Sequence, residues 1–124
     1  MLRTVLAVVV APIIWGLVMV PGNQLVSWIY PGAEAGDASR GYLVAALVAS
    51  SLYSSIAGFG SAWIGHGRTI FHGLLAGVAL LAIGVFMQLQ YWDALPAWYH
   101  LTFLTLLIPA CVCGAALCER MRAA

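Results

Sequence analysis

The chain has no lysine, five arginines and four acidic residues among its 124, so only 7% of its side chains are charged. A water-soluble domain carries about a quarter. So small a charged set cannot solvate a water-facing surface, and the natural solvent for most of this chain is lipid. The net formal charge of +1 supplies no basic patch, and no nucleic-acid partner is expected. Cysteine is scarce as well: Cys111, Cys113 and Cys118 are odd in number and sit inside an apolar run, where a disulfide framework has little to hold, so free thiols are expected. No Asp, Glu, Lys or Arg falls in the middle of any long apolar run. Proton-coupled transport generally needs an ionisable side chain within the membrane, so this absence counts against a small multidrug exporter with a carboxylate in its first span. It also counts against a hydrolytic or phosphate-binding site at the midplane.

What the chain has in excess is apolar length: 64% of its residues are hydrophobic and its mean hydropathy is +1.00. Four runs, at residues 4–29, 42–64, 70–91 and 97–118, are each long enough to cross a hydrocarbon core of about 30 Å at about 1.5 Å per residue. The first continues past Pro21-Gly22 to Trp28 and is read as one helix bent at the proline. Its length exceeds the 7 to 15 residues of a signal-peptide core, which favours a retained span over a cleaved leader with its site near Ala33-Glu34-Ala35. Residues 31–40 form the longest polar stretch and read as a loop, and residues 65–68 (GHGR) break the second run from the third. The fold class expected is all-α: residues 1–124 as a single transmembrane domain, an up-down-up-down four-helix bundle whose short connections make consecutive helices antiparallel neighbours. Arg3, Arg68, Arg120 and Arg122 fall on one side and Arg40 on the other, so both termini are expected in the cytoplasm.

Association of helices in lipid relies on close backbone approach and interhelical hydrogen bonds, so small residues mark candidate packing seams. At 100° per residue, Ser51, Ser55, Gly58 and Ala62 share a stripe on the second helix, bordered by Ser54, and Gly73, Gly77, Gly84, Gln88 and Tyr91 share one on the third. On the fourth, His100, Leu104, Leu107, Cys111 and Cys118 share a face, with Cys113 nearly opposite. Such stripes serve either internal packing or a homo-oligomer.

Two aromatic-rich, polar segments meet at the non-cytoplasmic end. Residues 88–100 (QLQYWDALPAWYH) form a turn whose Tyr91, Trp92, Trp98 and Tyr99 suit the headgroup zone, joined by Trp28 and Tyr30. An aromatic belt alone leaves unexplained the polar set Asn23, Gln24, Gln88, Gln90, Asp93 and His100. Asn23, Gln24, Gln88, Tyr91, Trp92, Asp93, Trp98 and His100 are therefore candidate contacts for a ligand or partner, with Gln88 and His100 inward and able to bond across the bundle. Asp93 reads more simply as a turn or N-cap residue than as a catalytic acid. His66, His72 and Cys118 lie on the cytoplasmic side without metal-ligand spacing, and His72 and His100 lie too far apart in depth to share one haem, so no cofactor, metal or catalytic residue is expected.

The segment QLQYWDALPAWYH followed by LTFLTLLIPA, residues 88–110, resembles uncharacterised small bacterial four-span inner-membrane proteins. The resemblance implies the four-span fold and a bacterial inner-membrane location, and it carries no functional residue. The partners expected are the lipid bilayer and a homo-oligomer or larger membrane complex. The favoured function is an accessory or scaffold subunit without enzymatic activity. The alternatives are a small-solute or lipid-interacting permease entered through the outer polar cluster, and a redox or metal protein using His and Cys.

Overall fold

The computed structural model describes residues 2–30, 40–65, 67–90, 92–93 and 96–123. It contains four α-helices: α1 Leu2–Ile29, α2 Arg40–Gly65, α3 Thr69–Gln90 and α4 Ala97–Ala123. Each is long and apolar enough to cross a membrane, and among the described residues there is no strand. Helices are what lipid permits here, because every backbone N–H and C=O must find a partner within its own segment. Pro12 and Pro21 lie inside α1 and Pro109 inside α4, and none of them ends its helix. The polar stretch at 31–39 and the turn residues His66 and Tyr91 lie outside the described residues.

The helices alternate in direction, so both ends of the described chain sit at one end of the bundle, here called the termini end. The α2–α3 turn returns the chain there through Gly67, whose φ of 63° lies in the left-handed region that glycine enters at least cost. The Arg68 carbonyl then receives the backbone N–H of His72 at 3.0 Å and opens α3. At the opposite, far end, the Pro96 carbonyl accepts from the N–H of Tyr99 and of His100 and so occupies the N-cap of α4. Asp93 is an exposed turn residue upstream of that cap.

Chain neighbours are not the closest neighbours throughout. The most extensive interface joins α2 to α4, which run parallel; α1 lies on α2, α3 lies on α4, and α1 barely meets α4. The order around the bundle is thus α1, α2, α4, α3, with α2 and α3 meeting across the short diagonal. Expecting every consecutive pair to be close neighbours overstates the α2–α3 interface, because backbone approach decides the geometry. A Cβ on Gly58 would lie 2.7 Å from Cys111 Cα, and one on Gly114 would lie 2.7 Å from the Ser55 carbonyl carbon. These reciprocal contacts let α2 and α4 touch backbone to backbone. Gly77 does the same for α3, where a Cβ would stand 2.9 Å from Ile108 Cα.

Hydrogen bonds cross the bundle where hydroxyls are buried. Ser61 donates to the Ala7 carbonyl at 2.8 Å, tying α2 to α1. His72 donates from Nδ1 to the Arg68 carbonyl at 2.7 Å, which leaves Nε2 to accept from the Thr4 hydroxyl at 3.2 Å and ties α3 to α1. The bundle's middle is filled by Ala11, Ala57, Ala76, Leu80, Leu107 and Cys111, all at most 1% exposed. Large apolar side chains such as Leu17, Leu52, Phe86 and Leu101 point outward, the arrangement a lipid solvent selects. At the termini end Arg122 lies over the Trp63 ring, 4.6 Å from its centroid, and Phe59 stacks on that same ring.

Candidate functional site

Above the packed middle, towards the far end, the four helices separate around a chamber of about 110 Å³. On α1, Ala7, Ala11, Trp15 and Val26 are buried, and a Cβ on Gly22 would lie 2.5 Å from the Tyr53 ring, so α1 stays against α2 beyond Trp15 while it barely meets α4. Trp15 reaches the otherwise distant α4, its ring 6.5 Å from that of Phe103, and this pair closes the chamber from below.

Every helix contributes to the lining: Met19 and Asn23 from α1; Tyr42, Ala46, Ser50 and Tyr53 from α2; Met87 and Gln88 from α3; Tyr99 and Phe103 from α4. On the α1/α2 wall the Tyr53 hydroxyl donates to Asn23 Oδ1 at 3.4 Å. On the α3/α4 wall the Gln88 amide meets Nδ1 of His100, while the other ring nitrogen, Nε2, lies 3.2 Å from the Trp92 carbonyl. A neutral imidazole has one N–H, so both contacts are hydrogen bonds when Nε2–H donates to Trp92 and the Gln88 amide turns its NH2 towards Nδ1. Trp92 also stacks on the His100 ring at 4.7 Å, and His100 is fully buried. Trp92 is thereby pinned to the wall of the chamber through one histidine.

The candidate contacts divide accordingly. Asn23 and Gln88 line the chamber. His100 and Trp92 stand behind Gln88 and hold it, while Gln24, Asp93 and Trp98 are exposed at the far-end surface. Tyr91 lies outside the described residues. The candidate seam residues Gly58, Ala62, Gly73, Gly77 and Gly84 are buried, and Ser51 and Ser55 are half-buried, each donating to the carbonyl four residues before it. Of the cysteines, Cys111 and Cys118 are buried and Cys113 is exposed.

Sequence reasoning missed Tyr42, Ser50, Tyr53, Met87 and Phe103, and it placed Tyr99 only in the interfacial belt. A signal was present: Met19 and Asn23, Tyr42, Ala46 and Ser50, and Tyr99 and Phe103 are each spaced i, i+4 on one face of their helix.

The chamber's chemistry is that of binding. Among the described residues its polar groups are amides and hydroxyls, with no charged side chain and no nucleophile paired with a base. Among the described residues no three of His, Cys, Asp and Glu gather as metal ligands, and both ring nitrogens of His72 are already engaged. No family model, curated protein or solved structure matches this chain.

Below and beside the chamber a narrow fissure runs between α2 and α4. It is lined by Leu47, Ser50, Ser51, Ser54, Phe103, Leu106 and Leu107, and it shares Ser50 and Phe103 with the chamber. The Ser54 hydroxyl in this fissure and the Trp15 indole N–H are buried without a hydrogen-bond partner.

Proposed function

We propose that this multi-pass membrane protein is a non-enzymatic accessory subunit whose working part is the chamber, taking up a small molecule from one side without carrying it across. The observation that carries the reading is that the chamber is blind. Trp15 packs on Phe103 of its lining, and Ala11, Ala57, Ala76, Leu80, Leu107 and Cys111 beneath are at most 1% exposed, which supports a closed floor. The arginine distribution supports a bacterial inner-membrane orientation with the termini cytoplasmic and the chamber facing outward. A shallow apolar groove of about 380 Å³ between α2 and α4, floored by Ser55 and Gly114, supports contact with a second copy or a larger membrane complex.

A permease with an outer polar entrance is the second reading, favoured by the same four-helix lining if another conformation opens the floor. Single cysteines at Ser50, Ala57 and Ala76, in a chain with Cys111, Cys113 and Cys118 replaced, separate the two. A water-soluble thiol reagent is expected to label Ser50→Cys from the chamber side only and to leave the other two protected from both sides. Labelling of Ala57→Cys or Ala76→Cys would establish an aqueous pathway and replace the accessory reading with the permease. Protection of Ser50→Cys from both sides would remove the chamber as a water-accessible site.

A further inference from the structure

The ligand class follows from three properties of the chamber, and this inference rests on the reading of the chamber as a binding site. The first is charge. Among the described residues no Arg, Asp, Glu or His lines it, so an ionised ligand drawn between Met19, Met87 and Phe103 would lose hydration without a counter-charge from them. The ligand is neutral. The second is size. At about 110 Å³ the chamber is smaller than the roughly 150 Å³ apolar cavity known to take up benzene, which limits the enclosed part of a ligand to at most one six-membered ring. The thioethers of Met19 and Met87 and the ring of Phe103 provide the soft, flat surfaces that favour an aromatic face.

The third property is the placement of polar groups. Because α1 and α2 form one edge of the bundle and α3 and α4 the opposite edge, the polar lining divides between Asn23, Tyr42, Ser50 and Tyr53 on one side and Gln88 and Tyr99 on the other. Gln88 meets His100 Nδ1 with one end of its amide, which leaves the other end for a ligand. Asn23 and Tyr53 hold each other only by a 3.4 Å bond, weak enough to be exchanged for a ligand oxygen. We infer that the chamber binds a small neutral ring with an oxygen at each of two opposite ends, the chemistry of a 1,4-benzoquinol or 1,4-benzoquinone head. Such a ring could arrive as a soluble phenolic compound or as the head of a lipid-soluble quinone whose tail stays in the bilayer.

The experiment is calorimetric titration of the full chain in lipid nanodiscs with 1,4-dihydroxybenzene, phenol and 4-hydroxybenzoate. The diol is expected to bind about tenfold more tightly than phenol, the equivalent of one net hydrogen bond, and the charged benzoate is expected not to bind. Asn23→Ala/Tyr53→Phe, which removes polar atoms from one wall at an exposed position and a shape-conserving one, is expected to bring the diol down to the phenol affinity while leaving phenol within about twofold. Unchanged thermal stability of the double variant confirms that its fold is intact; should it unfold, Tyr99→Phe serves as the second variant, expected to weaken the diol more than phenol. Equal affinity for diol and phenol would overturn the two-ended ligand while leaving the binding chamber standing. No binding of either ring would overturn both. A 1,4-benzoquinol with a ten-carbon tail distinguishes the sources: a tailed probe that binds more tightly than the soluble diol identifies the bilayer as the source. Indifference to the tail identifies the aqueous side.

Discussion

Replacing Gly58 with alanine probes the contact on which the bundle's geometry depends. The added methyl would lie 2.7 Å from both Cys111 Cα and the Cys111 carbonyl carbon, whereas carbon atoms in good contact stand about 3.5–4.0 Å apart. The partner atoms are backbone, so no rotamer change relieves the overlap, and α2 and α4 must separate by roughly 1 Å along their largest interface. Overpacking of this kind costs about 1–3 kcal/mol. The same substitution recovers about 0.5–1 kcal/mol of helix propensity, which leaves a net loss centred on about 1 kcal/mol and at most about 2.5 kcal/mol. Gly114→Ala strikes the same interface from the other helix, against the Ser55 carbonyl carbon at 2.7 Å and the Phe59 nitrogen at 3.0 Å. Once one methyl has parted the helices the second adds little, so the double variant should fall short of the sum by at least 0.5 kcal/mol. Gly16→Ala is the control, since nothing lies within 4 Å of its Cβ position. Reversible unfolding in mixed micelles, titrated with denaturing detergent, measures all four. A stability for Gly58→Ala equal to or above that of the parent, or a strictly additive double variant, would show that α2 and α4 do not meet through these glycines.

Two further outcomes follow from the buried polar contacts and the thiols. His100→Leu should destabilise by about 2–4 kcal/mol, because it removes two hydrogen bonds and strands the Gln88 amide. Replacing both partners, His100→Leu with Gln88→Leu, should recover at least half of that loss in the same unfolding titration, and a double variant no better than the single would show that the pair is not coupled. Cys113 is exposed on the lipid face whereas Cys111 and Cys118 are 0% exposed, so a membrane-permeant maleimide on the native fold should add one label, mapped by mass spectrometry to Cys113. Labelling of Cys111 or Cys118 at a comparable rate would contradict the packing of α4.

Four spans, their alternation and a lipid environment were legible in the chain because they depend on apolar length and missing charge, quantities that lie along one dimension. Helix propensity is nearly irrelevant to them: in lipid any sufficiently apolar segment must satisfy its own backbone, and Pro12, Pro21 and Pro109 are carried inside helices for that reason. The pairing of Gln88 with His100 was equally legible, since both flank one short turn and their depth follows from their distance to it.

Only the tertiary structure decided which helices touch and what the space between them holds. The stripes at Ser51–Ser55–Gly58–Ala62 and Gly73–Gly77–Gly84 say that some backbone comes close, but not whose; it is Gly114 and Cys111 on α4 that meet α2 and so bring parallel helices together. That choice pushes α1 away from α4, leaves Trp15 and Phe103 to bridge the gap, and opens the chamber above them. Tyr42, Ser50 and Tyr53 belong to one site with Asn23 and Gln88 because all four helices border it, and which helices border one space is a three-dimensional fact that no periodicity along a single helix contains.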